Sequence, residues 1–236
     1  MPDEGALGRL QQLADQYGLA GRQPDQLAAL LGILQRDEHA PTAVRDPARA
    51  VDVHLADSLV ALELEAVRTA RVIADLGAGA GFPGLALAVA LPASEVRLVE
   101  SQARKCAFVA EAIAEAGLEN ARVVRARVED WRSGIGQHDL VLARALAPQP
   151  VVLEYAAPLL RLGGTLVDWR GRRVEADEAA ASHAAQELGM RSVEVRSVEP
   201  FAGAREHHLH VFVKDEETPE RFPRRAGIAR KRPLGA

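Results

Sequence analysis

A single cysteine, Cys106, among 236 residues excludes an intrachain disulfide and any metal site built from clustered cysteines. Val109, Ala110 and Ile113 share its helical face, so Cys106 reads as a core thiol. No apolar run approaches the roughly 20 residues of a membrane span. The opening Met1-Pro2-Asp3-Glu4 has neither the basic nor the apolar region of an export signal. The expectation is a soluble, cytoplasmic protein. Positive charge is also in short supply: 29 basic against 33 acidic side chains give a net charge of −4. That balance argues against a protein that coats nucleic acid indiscriminately. The exception is the last 16 residues, Arg221 to Ala236, with six basic side chains and no acidic one. Such an end reads either as a solvated, flexible tail or as a source of phosphate contacts.

What is present is enough apolar material, 48% of the residues, for one well-buried domain with modest additions. Residues 1–65 read as a helical cap, with Leu7, Leu10 and Leu13, then Leu27, Leu30, Leu31 and Leu34, at helical spacing. A polar break from Gln35 to Thr42 precedes a third helix, Asp46 to Glu65. Residues 66–216 follow a different rhythm. Strands are predicted at 71–76, 95–100, 121–126, 138–143 and 164–169, and helices at 83–91, 102–116, 148–161 and 173–188. Alternation of this kind gives right-handed crossovers and a parallel sheet. Two final runs, Ser192–Val198 and His207–Lys214, have no helix between them and are therefore expected to pair antiparallel. Residues 217–236 form the basic tail.

The most informative stretch is Arg71-Val-Ile-Ala-Asp-Leu-Gly-Ala-Gly-Ala-Gly-Phe-Pro-Gly84. It reads as strand, tight turn and helix start, with Pro83 at the first helical position, where a missing N–H costs nothing. Glycines let the backbone approach a ligand, and free N–H groups at the helix start face it. Two cofactor classes fit. Gly79, Gly81 and Gly84 have the G-x-G-x-x-G spacing of a dinucleotide site, with Glu100 about 20 residues on. Asp75, at the strand end, weighs against a diphosphate and suits the ammonium of S-adenosylmethionine, held directly or through water. Glu100 closes its strand at the ligand-binding edge, where its two oxygens suit the two ribose hydroxyls. The balance favours adenosylmethionine over NAD.

His54-Leu-Ala-Asp-Ser-Leu59, the Gly-Ala-Gly-Ala-Gly-Phe-Pro-Gly turn, Glu100-Ser with Lys105 and Phe108, and Arg144-Ala occur in order. With the ending Phe222-Pro-Arg-Arg-Ala-Gly and Lys231-Arg-Pro-Leu234, they resemble the bacterial small-subunit (16S) ribosomal RNA guanine-N7 methyltransferases, the glucose-inhibited division protein B family. The resemblance runs from about residue 46 to the C-terminus. It implies an α/β, class I (Rossmann-like) methyltransferase fold: a seven-stranded, mostly parallel sheet with an antiparallel last strand and an N-terminal helical cap. It implies that Gly77 and Phe82 border S-adenosylmethionine, that Val128 and Glu129 frame the adenine, and that Arg144 stands beside the methyl-transfer centre. Arg170 and Arg144 would grip the RNA or an extruded nucleotide. Two stretches depart from the family pattern. His39-Ala-Pro-Thr-Ala-Val44 stands where members carry an Asn-Leu-Thr-like segment, and Arg170-Gly171 where they carry Lys-Gly.

The implied chemistry agrees with residues that are absent. Guanine N7 carries an unprotonated lone pair and needs no general base, so rate comes from positioning. Ala143-Arg-Ala-Leu-Ala-Pro148 is not the Asn/Asp-Pro-Pro-aromatic loop of exocyclic amine methylation. Cys106 lies away from the reacting edge, against cytosine C5 chemistry. No metal is implied. The implied partner is small-subunit ribosomal RNA or the 30S particle, with the chain acting as a monomer. His54 and Asp57, one helical turn apart, either line the site or brace the helix. His207, His208 and His210 lack carboxylate partners at ligand spacing and read as structural. The competing functions are a non-catalytic RNA-binding factor of the same fold, an NAD oxidoreductase, and a methyltransferase for another RNA or a small molecule.

Overall fold

The computed structural model describes residues 4–235; Met1, Pro2 and Asp3, which bear on the absence of an export signal, and Ala236 lie outside the described residues. In β1 (Val72–Leu76), Ile73, Ala74 and Leu76 are buried because the sheet is covered on both faces. β2 (Glu95–Glu100) and β3 (Ala121–Arg125) extend the sheet on one side. β4 (His138–Arg144) and β5 (Leu160–Arg170) extend it on the other. β6 (Met190–Val198) and β7 (His207–Lys214) complete seven strands in the order β3-β2-β1-β4-β5-β7-β6. β1 to β5 pair in parallel, while β7 enters antiparallel between β5 and β6. The expected antiparallel pair is present, and it is the last strand of the chain that runs against the rest.

Period-two alternation sorts the strand residues between two cores. Ile73, Leu140 and Leu142 join one face, whereas Ala74, Leu76, Val141 and Ala143 join the other. The first face is covered by α6 (Gly84–Ala90), α7 (Ala103–Glu115) and the cap. Cap helices α1 (Glu4–Gln16) and α2 (Gln23–Arg36) bury Leu10, Leu13, Leu27, Leu30, Leu31 and Leu34 in that core. The second face is covered by α8 (Gln149–Ala156) and α9 (Glu175–Glu187). Helix 148–161 is shorter than predicted and strand 164–169 longer. The apolar residues Leu159 and Leu160 suit either element, and Leu160 pairs with His138.

Two further expectations are corrected. The third cap helix is not one regular helix. It runs α3 (Pro47–Ala50), a π turn (Val51–Ala56), α4 (Asp57–Leu59) and a 3-10 turn (Val60–Glu63), followed by α5 (Glu65–Thr69). The Asp57 N–H reaches back to the Asp52 carbonyl, the wide spacing that marks a π turn and often a functional segment. The tail, one reading of which was a flexible end, is packed onto the sheet's second face. Phe222, Ala229 and Leu234 join that core. The Arg224 guanidinium clasps the buried Glu154 carboxylate, with Nε at 2.8 Å from Oε1. A short helix, α10 (Ile228–Lys231), then crosses the C-terminal edge of the sheet.

Candidate active site

The turn after β1 is held from beneath. Gly77 and Ala78 donate their N–H groups to the Val99 carbonyl of β2, at 2.9 and 3.1 Å. Asp75 is 1% exposed, and its carboxylate accepts the Gly84 N–H at 2.8 Å. That bond satisfies one of the free amides opening α6. Pro83 is therefore the N-cap and not the first helical residue. Burial pushes the Asp75 carboxyl up to about 6, against the Gly84 bond and the Arg144 charge that pull it down. Gly77 has φ +67°, and a Cβ there would meet the Leu146 Cδ1 at 2.5 Å. The positive φ calls for glycine here, and a Cβ would push the end of the Leu146 side chain aside.

Glu100 ends β2 with its carboxylate fixed by three backbone amides. Oε1 accepts from Ser101 at 2.7 Å and Gln102 at 2.8 Å, and Oε2 accepts from Gly79 at 3.3 Å. A cavity of about 450 Å³ opens beside it. Gly77, Glu100, Val128 and Glu129 line this cavity together with Lys105 and Leu146. Glu129 is 7% exposed, and its Oε1 accepts from the Tyr155 hydroxyl at 3.2 Å and the Gly227 N–H at 2.9 Å. Tyr155, Gly227 and Arg230 line the cavity too. Sequence reasoning assigned none of them a site role. The basic tail was the only signal for Arg230, and nothing in the spacing ties Gly227 to Glu129. Cys106 is buried and donates its thiol to the Glu100 carbonyl at 3.2 Å; burial and the Glu100 charge push the thiol pKa up.

Asp75, Gly79, Phe82 and Arg144 do not line that cavity and gather around the turn and the cap. The Phe82 ring stacks on His54, with centroids 5.1 Å apart. His54 Nε2 bonds to the Thr42 hydroxyl at 2.9 Å, so the departing segment 39–44 is anchored here. Burial lowers the His54 pKa to about 4, and the Arg144 charge adds to the effect. Arg144 Nη1 donates to Asp57 Oδ2 at 2.7 Å and to the Val53 carbonyl, in the π turn, at 3.1 Å. Asp57 and His54 are thus both buried, packed beside Arg144 and Phe82. His207 Nδ1 lies 3.1 Å from Asp57 Oδ1. His207 therefore has a carboxylate partner that sequence spacing could not show, because Asp57 lies 150 residues away.

Arg170 stands apart from Arg144, at the end of β5. Its Nε donates to Asp168 Oδ2 at 2.6 Å and its Nη2 to the Ala147 carbonyl at 2.8 Å. Gln149 Nε2 shares the same Asp168 oxygen at 3.1 Å. Burial raises the Asp168 carboxyl to about 6 even beside Arg170. Arg170 lines a second cavity, of about 650 Å³, which shares Ala145 and Leu146 with the first. Among the described residues, no group of three or more His, Cys, Asp or Glu could hold a metal ion, and no helix is long and apolar enough to cross a membrane.

The family model described as rRNA small subunit methyltransferase G (GidB) matches residues 25–209. The chain belongs to that family. The ribosomal RNA small subunit methyltransferase G of Syntrophomonas wolfei is 39% identical over 186 residues, covering 78% of this chain and 86% of that protein. The protein of the same name from Chloroflexus aggregans is 38% identical over 224 residues, covering 93% and 90%. Among solved structures, the S-adenosylmethionine-dependent methyltransferase SibL superposes with a TM-score of 0.59 at 18% identity, over 89% of this chain and 74% of that one. The mitomycin 7-O-methyltransferase MmcR does so with a TM-score of 0.56 at 12% identity, over 71% and 55%. At such identities the two structures establish the fold, a Rossmann-like methyltransferase fold, and nothing finer.

Proposed function

We propose that this chain uses S-adenosylmethionine to methylate N7 of a guanine in small-subunit (16S) ribosomal RNA, acting as a cytoplasmic monomer on the RNA or the 30S particle. The carrying observation is the cavity at the β1–β2 edge of a chain that belongs to the methyltransferase G family. Its two carboxylates suit the hydroxyl and amino groups of an adenosyl moiety. Glu100, fixed by three amides, presents carboxylate oxygens to ribose hydroxyls, and Glu129 adds a second anionic group at the adenine end. Gly77 and Gly79 leave room for the methionyl part, with Asp75 bracing the turn they form. Phe82 and Arg144 border it from the cap side.

When bound, S-adenosylmethionine supplies an electrophilic methyl on a positively charged sulfur. The protein's own contribution is positional. N7 needs no proton removed, so the chain has to hold the guanine in line and exclude water. Arg144 and Arg170, on the ends of β4 and β5, are the residues proposed to grip the RNA. The test is to map N7-methylguanine in small-subunit RNA from a strain lacking the gene, with and without the cloned copy. The modification is expected to vanish and return; its persistence without the gene removes the substrate assignment.

A further inference from the structure

The second cavity has a composition that the cofactor site does not explain. Its walls include Pro148, Pro150, Pro233 and Leu234, an apolar lining suited to a flat ring. Of the five charged side chains that also line it, two exposed ones, Arg172 and Asp177, have no side-chain hydrogen-bond or ion-pair partner among the described residues. Their neighbours differ: Arg170 is bound to Asp168, and Arg173 clasps Glu178. His210, 4% exposed, also lines the cavity, and its Nε2 has no partner. An unsatisfied buried ring nitrogen is costly unless a ligand or water completes it.

We propose that this cavity is a guanine-nucleotide site in which Asp177 reads the base and Arg172 holds its phosphate. A carboxylate has only acceptors, and it pairs with two parallel N–H groups when they lie side by side. Among the four RNA bases only guanine offers that on its pairing edge, as N1–H and N2–H. Adenine and cytosine set an acceptor beside their donor, and uracil flanks one donor with two acceptors. A free guanidinium suits the nucleotide's phosphate. The edge that Asp177 would take lies across the ring from N7, so the clamp leaves N7 directed away from the carboxylate and available for reaction. The shared wall, Ala145 and Leu146, stands between this cavity and the cofactor cavity. Ala145 has φ +53°, an uncommon conformation for a residue with a side chain. The assignment of N7 as the reacting atom rests on the function proposed above, whereas the preference for guanine rests on Asp177 alone.

The test is nucleotide titration of the isotope-labelled full chain by nuclear magnetic resonance, without cofactor. Guanosine 5′-monophosphate is expected to shift the amides of Val174, Asp177 and Ala180, binding about tenfold or more tightly than adenosine 5′-monophosphate. Asp177→Asn, a change at an exposed and unpartnered position, is expected to abolish the preference. Absent shifts, equal affinities, or a preference that survives Asp177→Asn overturn the proposal. In methyl-transfer assays Asp177→Asn is expected to lower kcat/KM for RNA about tenfold with adenosylmethionine affinity unchanged; unchanged kcat/KM also overturns it. A wild-type chain that prefers the guanine nucleotide but methylates no small-subunit RNA sinks the function proposed above and leaves this guanine site standing.

Discussion

Arg144, at the end of β4, is joined to Asp57 of the cap by a 2.7 Å ion pair, and both side chains are largely buried. The pair ties the helical cap to the C-terminal edge of the sheet, where ligands bind in folds of this type. Removing one partner leaves an uncompensated charge. Asp57→Ala is expected to lower stability by about 3 kcal/mol, and Asp57→Ala combined with Arg144→Met to recover most of the loss. Urea denaturation measures both. A double variant no more stable than the single one means that the pair does not account for the loss.

Gly77 and Gly136 share a left-handed conformation, at φ +67° and +66°, but differ in surroundings. A Cβ at Gly77 runs into Leu146, whereas at Gly136 nothing lies within 4 Å. Both Gly→Ala changes carry the same backbone penalty, about 1 kcal/mol. Only Gly77→Ala displaces the side chain that walls the cofactor cavity, so calorimetry is expected to show adenosylmethionine binding about tenfold or more weakly in that variant alone. Equal binding by both variants separates Leu146 from the cofactor.

The alternation of strands and helices and the glycine turn were legible because they are local: period-two alternation, turn residues and helical spacing each act over a few neighbours. What escaped was the set of contacts that bring distant segments together. The Asp57–His207 contact spans 150 residues, and the Gly227–Glu129 bond spans 98. The role of Asp75 was half-legible. Its place at the strand end was correct, but its use as a brace for the Gly84 amide depends on how the turn folds back. The tail was misread as a possible free arm because a run of arginines looks solvated until its partners, Glu154 and the Leu146 carbonyl, are seen.

Buried histidines weaken the fold as the pH falls. Burial lowers the pKa of His54, His138 and His210 to about 4, from 6.5. The unfolded chain therefore binds more protons than the native one between pH 6.5 and 4, and these three groups lose stability as pH falls through that window. Asp75 and Asp168, raised to about 6, act in the opposite sense: their contribution is present below pH 3.8 and lost as pH rises through 6. Replacing His138 by Gln is expected to flatten the fall in stability between pH 6.5 and 4. Asp168→Asn is expected to steepen it, because the opposing carboxyl is gone. Denaturation midpoints at pH 7, 5.5 and 4.5 read both slopes, and parallel curves for all three proteins contradict the assignment.

The tail completes the cavity proposed for the cofactor. Arg230 Nη2 donates to the Leu146 carbonyl at 2.9 Å, and the Gly227 N–H holds the Glu129 carboxylate, so α10 braces two walls of the same pocket. Arg221, in the same tail, pairs instead with Glu187 on the exposed side of α9. Arg230→Ala is expected to raise the dissociation constant for adenosylmethionine about fivefold to tenfold, as befits the loss of one charge-assisted hydrogen bond of about 1–1.4 kcal/mol net effect on the loop. Arg221→Ala, which breaks an exposed ion pair and a cation–π contact with Phe222, neither of them in the cavity lining, is expected to leave it unchanged. If the two variants weaken binding equally, the tail acts through general charge and not through the Leu146 and Glu129 walls.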